Sequence, residues 1–315
     1  MLKNYSWKSL LFAITASSSM LLNKGLVSGA AWPLTGDVGC HDPTIIQEGS
    51  RWYTFCTGQG ITVLTSEDGL AWSTVPQIFL NELPWWANYV PGHPELDVWA
   101  PDVSTFNGRT YLYYSISTFG SRTSVIGLAS ASSIDAGSWT DEGAVISTTQ
   151  AGNDYNAIDP FFVVDQDGNP WLAFGSFGSG IKITAIDPST MKPTGDIHSI
   201  AARSGGIEAP SIIYQGGYYH LIVSIDSCCQ GTSSTYKIAY ARSESILGPY
   251  LNEDGVDAMN GGVTVLDAGN DRWIGPGGQD VYESVIARHA YDAENNGAPI
   301  LLISDLNWSN GWPTY

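Results

Sequence analysis

Three acidic residues near prolines offer the clearest chemistry in this sequence. Asp42 and Asp159 each directly precede a proline, and Glu208 lies close before another. Carboxylates that meet in one pocket repel one another, which raises the pKa of at least one of them. A protonated carboxylic acid opposite an ionised carboxylate is the pair that hydrolyses a glycosidic bond. A single Asp-Pro pair is more often a turn signal, but three in register favour a catalytic role.

These acidic residues belong to a unit that recurs along the chain. Each unit continues with an apolar run, a glycine-containing turn and an aromatic run, which is the pattern of a β-hairpin. The prolines lie at positions 43, 101, 160 and 210, with a degenerate fifth copy at 276. Such a repeat indicates one supersecondary unit used several times. We place the three carboxylates at one shared position, beside the proline of each repeat.

The elements that must position these carboxylates are predicted to be strands. No sustained helical period follows residue 30, and each of the five units holds three or four short apolar runs. This pattern predicts an all-β fold, a five-bladed β-propeller with an axial active-site pocket on which equivalent positions converge. A β-sandwich or a β-helix is the alternative, and the long period disfavours both. We expect residues 31–315 to form one catalytic domain.

The first thirty residues have a different composition from the rest. Lys3 and Lys8 precede an apolar stretch that begins at residue 10, and small residues occupy positions 28–30. This is typical of a secretory signal peptide, predicted here over residues 1–30. The apolar stretch is too short for a membrane span. We therefore expect a secreted, extracellular protein without a membrane anchor.

The charge of the chain excludes some partners. Thirteen basic and 31 acidic residues give a net charge of −18, which disfavours nucleic acid and anionic membranes, because both are bound through Lys and Arg. We expect a monomer. Asn307 begins a glycosylation sequon.

Four cysteines are compatible with an oxidising compartment. Cys40 and Cys56 flank the first hairpin and are candidates for a disulfide. The adjacent Cys228 and Cys229 either form a vicinal disulfide or remain thiols. No cysteine or histidine spacing typical of zinc is present, and we predict no metal ligands.

Aromatic and polar residues near the repeat starts are candidates for sugar binding. The chain holds 12 Trp, 16 Tyr and 9 Phe, and Trp85-Trp86 lies in a long loop before the second repeat. Packing between blades is the alternative for any single aromatic residue. His41, His93, His220 and His289 are interpreted as core or loop histidines rather than ligands. The predicted substrate-binding residues are Trp99, Asp102, Phe119, Asn156, Ser176 and Phe177.

Several blocks together resemble a known family, the secreted five-bladed endo-1,5-α-L-arabinanases of glycoside hydrolase family 43. They run in order from residue 36 to residue 313 and include HDPTII at 41–46, WAPDVSTFNG at 99–108, YNAIDPFFVVDQDGNPWLAFGSF at 155–177, IEAPSII at 207–213 and RWIGPG at 272–277. The resemblance implies an inverting mechanism, with Asp42 as general base and Glu208 as general acid. It also implies that Asp159 orients Glu208 and keeps its pKa high.

Two positions depart from the family pattern. The family commonly has Trp where this chain has Gly178, so one sugar subsite is expected to be weaker. It commonly has a His in GPGH, at an axial metal or water site, where this chain has Gly278. A structural calcium is therefore doubtful, and we expect no required cofactor. His289 matches another block and is not expected to replace that histidine.

The resulting hypothesis is a hydrolase that cleaves the α-1,5-linked arabinofuranose chains of pectic arabinan. A related propeller glycosidase, either a β-xylosidase or an α-L-arabinofuranosidase, is the first alternative. A retaining invertase-like propeller is disfavoured because Ile158, not Arg, precedes Asp159. A non-enzymatic sugar-binding propeller is disfavoured because not every repeat keeps the acidic residue.

Overall fold

The computed structural model describes residues 30–315, and the predicted leader at 1–30 lies almost entirely outside them. Strands dominate these residues. Their helical elements are a four-residue helix, α1 (Trp86–Tyr89), and two 3₁₀ turns at Gly231–Ser233 and Ala258–Asn260. No helix in the described part of the chain has the length and apolarity to span a bilayer.

The strands form five sheets of three to five strands that follow one another along the chain, besides one two-stranded hairpin, so the predicted five-bladed propeller is confirmed. Blade 1 holds β1 (Thr35–Gly36), β2 (Thr44–Glu48), β3 (Arg51–Cys56), β5 (Thr62–Ser66) and β6 (Ala71–Val75). Blade 2 holds β4 (Gly58–Gln59), β7 (Asp97–Phe106), β8 (Arg109–Ile116), β9 (Ser124–Ala131) and β10 (Thr140–Thr148).

The third and fourth blades are four-stranded antiparallel sheets. Blade 3 holds β11 (Phe161–Val164), β12 (Pro170–Phe174), β13 (Ile181–Ala185) and β14 (His198–Ala201). Blade 4 holds β15 (Ile207–Gln215), β16 (Tyr218–Ile225), β17 (Lys237–Ser243) and β18 (Thr264–Asp267).

Blade 5 has three strands of its own, β19 (Trp273–Tyr282), β20 (Val285–Asp292) and β21 (Ala298–Asp305). The first described segment of the chain runs along its outer strand, where the Leu301 N–H donates to the Val38 carbonyl at 2.8 Å. A separate hairpin, β22 (Asn307–Ser309) and β23 (Trp312–Thr314), follows. The chain start thus joins blade 5 to blade 1 and closes the ring.

The innermost strands β2, β7, β11, β15 and β19 are mutual neighbours around the axis. Apolar clusters fill the spaces between blades: Tyr113, Leu172 and Phe174, for example, pack between blades 2 and 3. The inner strands are therefore held on both sides. This rigid ring is what positions the side chains at the strand starts.

Candidate active site

One backbone turn recurs within or just before every inner strand. Its central residue has a left-handed φ, between +40° and +54°, in all five repeats. In blades 2, 4 and 5 the turn coincides with a register shift, a β-bulge, in the innermost strand, a feature that redirects side chains. The left-handed residues are Asp42, Ala100, Asp159, Ala209 and Gly278.

This turn corrects two predictions about the repeats. Glu208 lies one residue before the left-handed position, so it does not share the place of Asp42 and Asp159. The fifth copy is centred on Gly278, not on Pro276. The prolines at 43, 101, 160 and 210 each directly follow the left-handed residue and mark the register correctly, whereas Gln279 takes the place of the proline in the fifth repeat.

The three predicted catalytic carboxylates meet in one cleft of about 670 Å³. Five of the six predicted substrate-binding residues also line it: Trp99, Phe119, Asn156, Ser176 and Phe177. These residues come from blades 2 and 3, while Glu208 enters from blade 4. The converging strand starts therefore build one site from several blades, as the repeat pattern predicted.

Asp42 is held as an ionised carboxylate. Its Oδ2 lies 2.8 Å from His41 Nδ1 and accepts a hydrogen bond from Thr57 Oγ1, also at 2.8 Å. Burial raises the pKa of Asp42, but the charge and hydrogen bond of His41, together with the Thr57 hydroxyl, outweigh burial and hold the pKa at about 2. A carboxylate that stays ionised in this way can accept a proton from water.

Glu208 and Asp159 have the opposite tendency. Burial raises the pKa of Glu208, and the charge of Asp42 adds to this, although hydrogen bonds from Ser176 and Tyr236 oppose it. Ser176 Oγ donates to Glu208 Oε2 at 2.6 Å. Burial and the charges of Glu208 and Asp42 raise the pKa of Asp159 well above its ordinary value. The buried pair therefore retains a proton where Asp42 has lost its own.

Asp159 also anchors the backbone beside Glu208. Its Oδ2 accepts a hydrogen bond from the Ala209 N–H at 3.1 Å, and its own N–H donates to Ser115 Oγ at 3.0 Å. The side chain thus ties blade 3 to the turn that carries Glu208. This contact suits the orienting role that the resemblance implied.

Two histidines that the sequence reading assigned to the core stand against Asp42. The rings of His41 and His289 stack with centroids 3.8 Å apart, and the Asp42 N–H donates to His289 Nδ1 at 3.1 Å. Burial lowers the pKa of His289 to about 3, so this ring is neutral. Both are hydrogen-bonded histidines of the core or of a loop, as interpreted, but they also contact Asp42, which the sequence did not indicate. His41 occupies the repeat position of Trp99 and Glu208, a signal that a correct repeat alignment contains.

Comparison with known proteins decides the family. The model of glycosyl hydrolases family 43 matches residues 36–313. The chain belongs to glycosyl hydrolase family 43. An extracellular endo-α-(1→5)-L-arabinanase of Bacillus subtilis is 53% identical over the full length of both chains. The extracellular exo-α-(1→5)-L-arabinofuranosidase ArbA of Cellvibrio japonicus is 36% identical, with 98% of this chain and 92% of that protein covered.

Solved structures agree with this assignment. The family 43 endo-arabinanase of Bacillus licheniformis superposes with a TM-score of 0.88 at 58% identity. The match covers 90% of this chain and all of that one. The comparison of sequences and the comparison of structures thus give the same family.

Asp102, the sixth predicted substrate-binding residue, does not line the cleft. It is buried beside a small axial cavity of about 30 Å³ beneath the catalytic residues, together with Asp280. Asp102 Oδ2 accepts from the Phe162 N–H, and Asp280 Oδ2 accepts from Thr44 Oγ1, each at 2.8 Å. The side chain after the proline faces the axis, so the prediction that Asp102 binds substrate is corrected: it links blades 2 and 3.

The other predicted substrate-binding residues differ in how exposed their side chains are and in whether they hydrogen-bond within the protein. Phe119 is 83% exposed and Phe177 is 46% exposed at the cleft. Asn156, by contrast, accepts from Ser124 Oγ at 2.7 Å and donates to the Ser121 carbonyl at 3.2 Å. Its amide therefore supports the cleft loop of blade 2. Trp86 of the predicted aromatic loop is fully buried and does not line the cleft.

The two departures from the family pattern have steric reasons. A Cβ on Gly178 would lie 2.2 Å from the Asp154 carbonyl oxygen, and φ there is +52°. A Cβ on Gly278 would lie 2.2 Å from Asp42 Oδ1 and 3.0 Å from His289 Nδ1. His289 from β20 thus occupies space into which a side chain at position 278 would project.

The donor atoms in this region do not suit calcium. Among the described residues, His41, Asp42 and His289 form one group close enough for a metal, and His41 with Cys228 and Cys229 forms another. In the first group the atoms already hydrogen-bond one another, and in the second the sulfurs are joined. Calcium takes six to eight oxygen ligands, which neither group supplies.

Both cysteine pairs are bonded. Cys40 joins Cys56, as the sequence suggested, and Cys228 joins Cys229, which settles the alternatives left open for the vicinal pair. Asn307 is exposed at the start of β22, and its glycosylation stays a prediction.

Proposed function

We propose that this protein is an extracellular arabinan hydrolase that cleaves internal α-1,5 linkages between L-arabinofuranose residues. The observation that carries the proposal is the unequal pair at the cleft: Asp42 ionised, Glu208 buried and inclined to hold its proton. The relatives named above, two of them endo-acting and two named extracellular, support the linkage, the endo action and the secretion.

The two carboxyl groups divide the reaction between them. Asp42 would remove a proton from a water molecule as that water attacks the anomeric carbon. Glu208, aligned by Ser176, would donate its proton to the departing glycosidic oxygen. Attack from the face opposite the leaving group inverts the configuration, and we expect the carboxyl groups to be separated by roughly 6.5–9.5 Å to admit the water. Asp159 would keep Glu208 protonated and oriented.

The division of roles is tested with single variants on debranched arabinan. Asp42→Ala and Glu208→Ala should each lower kcat by at least the ~10²–10⁴-fold typical of a lost proton-transfer group, with unchanged thermal unfolding. Glu208→Ala should lose less on an arabinoside with a good leaving group, because such a substrate needs less acid assistance. An Asp42→Ala protein within threefold of the parent activity would refute the assignment.

Product analysis tests the mode of attack. Endo action should release a range of oligosaccharides early in the digestion and lower viscosity quickly. Arabinose or a single short product from the first minutes would instead indicate the exo action for which the Cellvibrio relative is named.

We further propose that hydrolysis needs no metal ion, since the donor atoms beside Asp42 are committed to each other. Extensive dialysis against EDTA should leave most of the activity in place, measured on debranched arabinan beside an undialysed control. Complete loss that calcium alone restores would contradict this and would mean that water and backbone oxygens complete a site.

A further inference from the structure

The vicinal disulfide lies in the cleft and is not explained by the proposed chemistry. Cys228 and Cys229 both line the cleft, and Cys229 is exposed there. Cys229 Sγ lies 4.0 Å from His41 Nε2, so the bond borders the histidine that contacts the general base. The backbone φ of Cys229 is +68°, in the left-handed region that non-glycine residues seldom adopt.

Three hydrogen bonds connect this disulfide to Asp42. The Cys229 N–H donates to the Tyr291 hydroxyl at 2.8 Å. That hydroxyl lies 2.8 Å from His41 Nε2, and His41 Nδ1–H donates to Asp42 Oδ2 at 2.8 Å. Nδ1 carries a proton toward the carboxylate whether His41 is neutral or charged. The chain of hydrogen bonds from Cys229 therefore ends on Asp42 Oδ2 whether His41 is neutral or charged.

The amide that begins this path is part of the disulfide ring. Adjacent bonded cysteines close an eight-membered ring whose members include the peptide group between them, so the N–H of Cys229 cannot rotate independently. Without the bond this peptide would be free to leave Tyr291, and the Tyr291 hydroxyl, to which Ser234 also hydrogen-bonds, would lose one of its donors. We propose that the Cys228–Cys229 disulfide is a positioning element for the general base, acting through Tyr291 and His41, and that a thiol reductant controls it.

Reduction of the Cys228–Cys229 bond would free the peptide between the two cysteines and leave the Cys40–Cys56 disulfide in place. The Sγ–Sγ bond would accept two electrons and two protons from a dithiol, which becomes a cyclic disulfide, and two cysteine thiols would result. Cys229 is exposed, whereas Cys40 and Cys56 are buried at 4% and 0%. A mild dithiol should therefore reduce the vicinal pair first, as thiol alkylation and peptide mass can verify.

The inference depends on the proposed function only for its activity readout. The titratable groups that face Asp42 are His41, His289, Tyr291, Asp159, Glu208 and Tyr236. Of these, His41 and Tyr291 belong to the path from Cys229. Weaker placement of His41 should raise the pKa of Asp42, so the acidic limb of the kcat/KM profile should move to higher pH.

The test is a double-mutant cycle. Cys228→Ser/Cys229→Ser and Tyr291→Phe should each move the acidic limb upward and lower kcat about threefold to tenfold, the range of one lost hydrogen bond. Combining them should add little, because both act on one path. An acidic limb that does not move, or effects of the two changes that simply add, would overturn the inference. A rise in KM alone would also overturn it and would mean that the disulfide contacts sugar.

A readout without substrate separates this inference from the proposed function. In NMR titration the His41 pKa, raised in the parent mainly through Asp42 against the effect of burial, should fall when the disulfide is removed or reduced. The same fall in a protein inactive on arabinan would refute the proposed function and support the positioning role. No change in the His41 titration would overturn the positioning role whatever the activity.

Discussion

At the scale of single residues, the site depends on giving chemically similar carboxyl groups different surroundings. Glu208 is buried and Asp42 is partly buried, and the loss of water around each carboxyl group raises its pKa. Asp42 has a histidine and a hydroxyl as partners, while Glu208 has two hydroxyls and carboxylate neighbours. The difference in partners separates an ionised base from a protonated acid, which is how related active sites divide such roles.

Replacing Asp159 by Asn tests the source of the high pKa of Glu208. Asn keeps an oxygen that can accept from the Ala209 N–H but removes one of the two carboxyl groups that share a proton. Because the last proton of two neighbouring carboxyl groups is held more tightly than the proton of one carboxyl group alone, the basic limb of the pH–rate profile should move to lower pH. Asp280→Asn, which neutralises a buried carboxyl below the cleft, is the matched control and should leave that limb in place.

An unmoved basic limb in Asp159→Asn, with activity retained, would show that Asp159 is only a turn residue. Equal movement in both variants would mean that the overall negative charge of the ring, rather than the neighbour of Glu208, sets the profile.

The catalytic carboxylates could be predicted from sequence, whereas their partners could not. Asp42, Asp159 and Glu208 carry a recurring local signal beside prolines. His41, Tyr291 and His289 act through contacts between blade 1 and blade 5, and residues some 250 positions apart have no local signal of contact. Asp102 failed because it lies two residues beyond the left-handed Ala100, after a β-bulge that redirects the side chains of the strand, and no local sequence signal marks that bulge.

At the scale of elements, the bulged starts of the inner strands convert a repeat into a site. The left-handed residue recurs in every blade, but its side chain is a carboxylate in only two of them. The hairpins, their order and the number of blades were predictable, because turn chemistry and apolar runs are local. The bulges were not, since their register depends on the neighbouring strand.

The loop between β12 and β13 permits a test of the missing family tryptophan. Sequence alone predicts that Gly178→Trp strengthens a sugar subsite. The structure predicts the reverse: its Cβ would meet the Asp154 carbonyl at 2.2 Å, so the loop must move. We expect a loss of about 1–3 kcal/mol in the free energy of unfolding and a higher KM for long arabino-oligosaccharides.

Gly120→Trp is the control for that variant. Gly120 also lines the cleft with a positive φ, but a Cβ there would meet nothing within 4 Å. Both variants therefore carry the strain of a positive φ, and only Gly178→Trp also carries the collision with Asp154. Comparing urea unfolding and KM of the two variants measures the effect of that collision. A Gly178→Trp protein as stable as Gly120→Trp, with a lowered KM, would restore the expectation from sequence.

At the scale of the whole molecule, the five blades form a ring only if the chain start bridges the last blade and the first. On one side the Trp32 N–H donates to the Ile303 carbonyl at 2.7 Å. On the other, the Asp37 N–H donates to the Trp72 carbonyl at 2.9 Å. The same segment leads through Cys40 to His41 and Asp42. The segment that closes the ring is thus the same one that places Asp42 at the cleft.

Gly36→Val should open this closure. At φ +83°, a Cβ on Gly36 would lie 2.2 Å from the Trp72 carbonyl oxygen, so β1 could not stay beside β6. Gly49→Val supplies the control, because φ is +63° there and no atom lies within 4 Å of the added Cβ. Both variants carry strain from a positive φ, and only Gly36→Val also loses closing hydrogen bonds, at about 0.5–1.5 kcal/mol each. Urea unfolding should therefore show Gly36→Val to be less stable than Gly49→Val by about 1–3 kcal/mol, and kcat should fall as Asp42 loses its support. Equal stability of the two variants would mean that packing between blades closes the ring without the chain start.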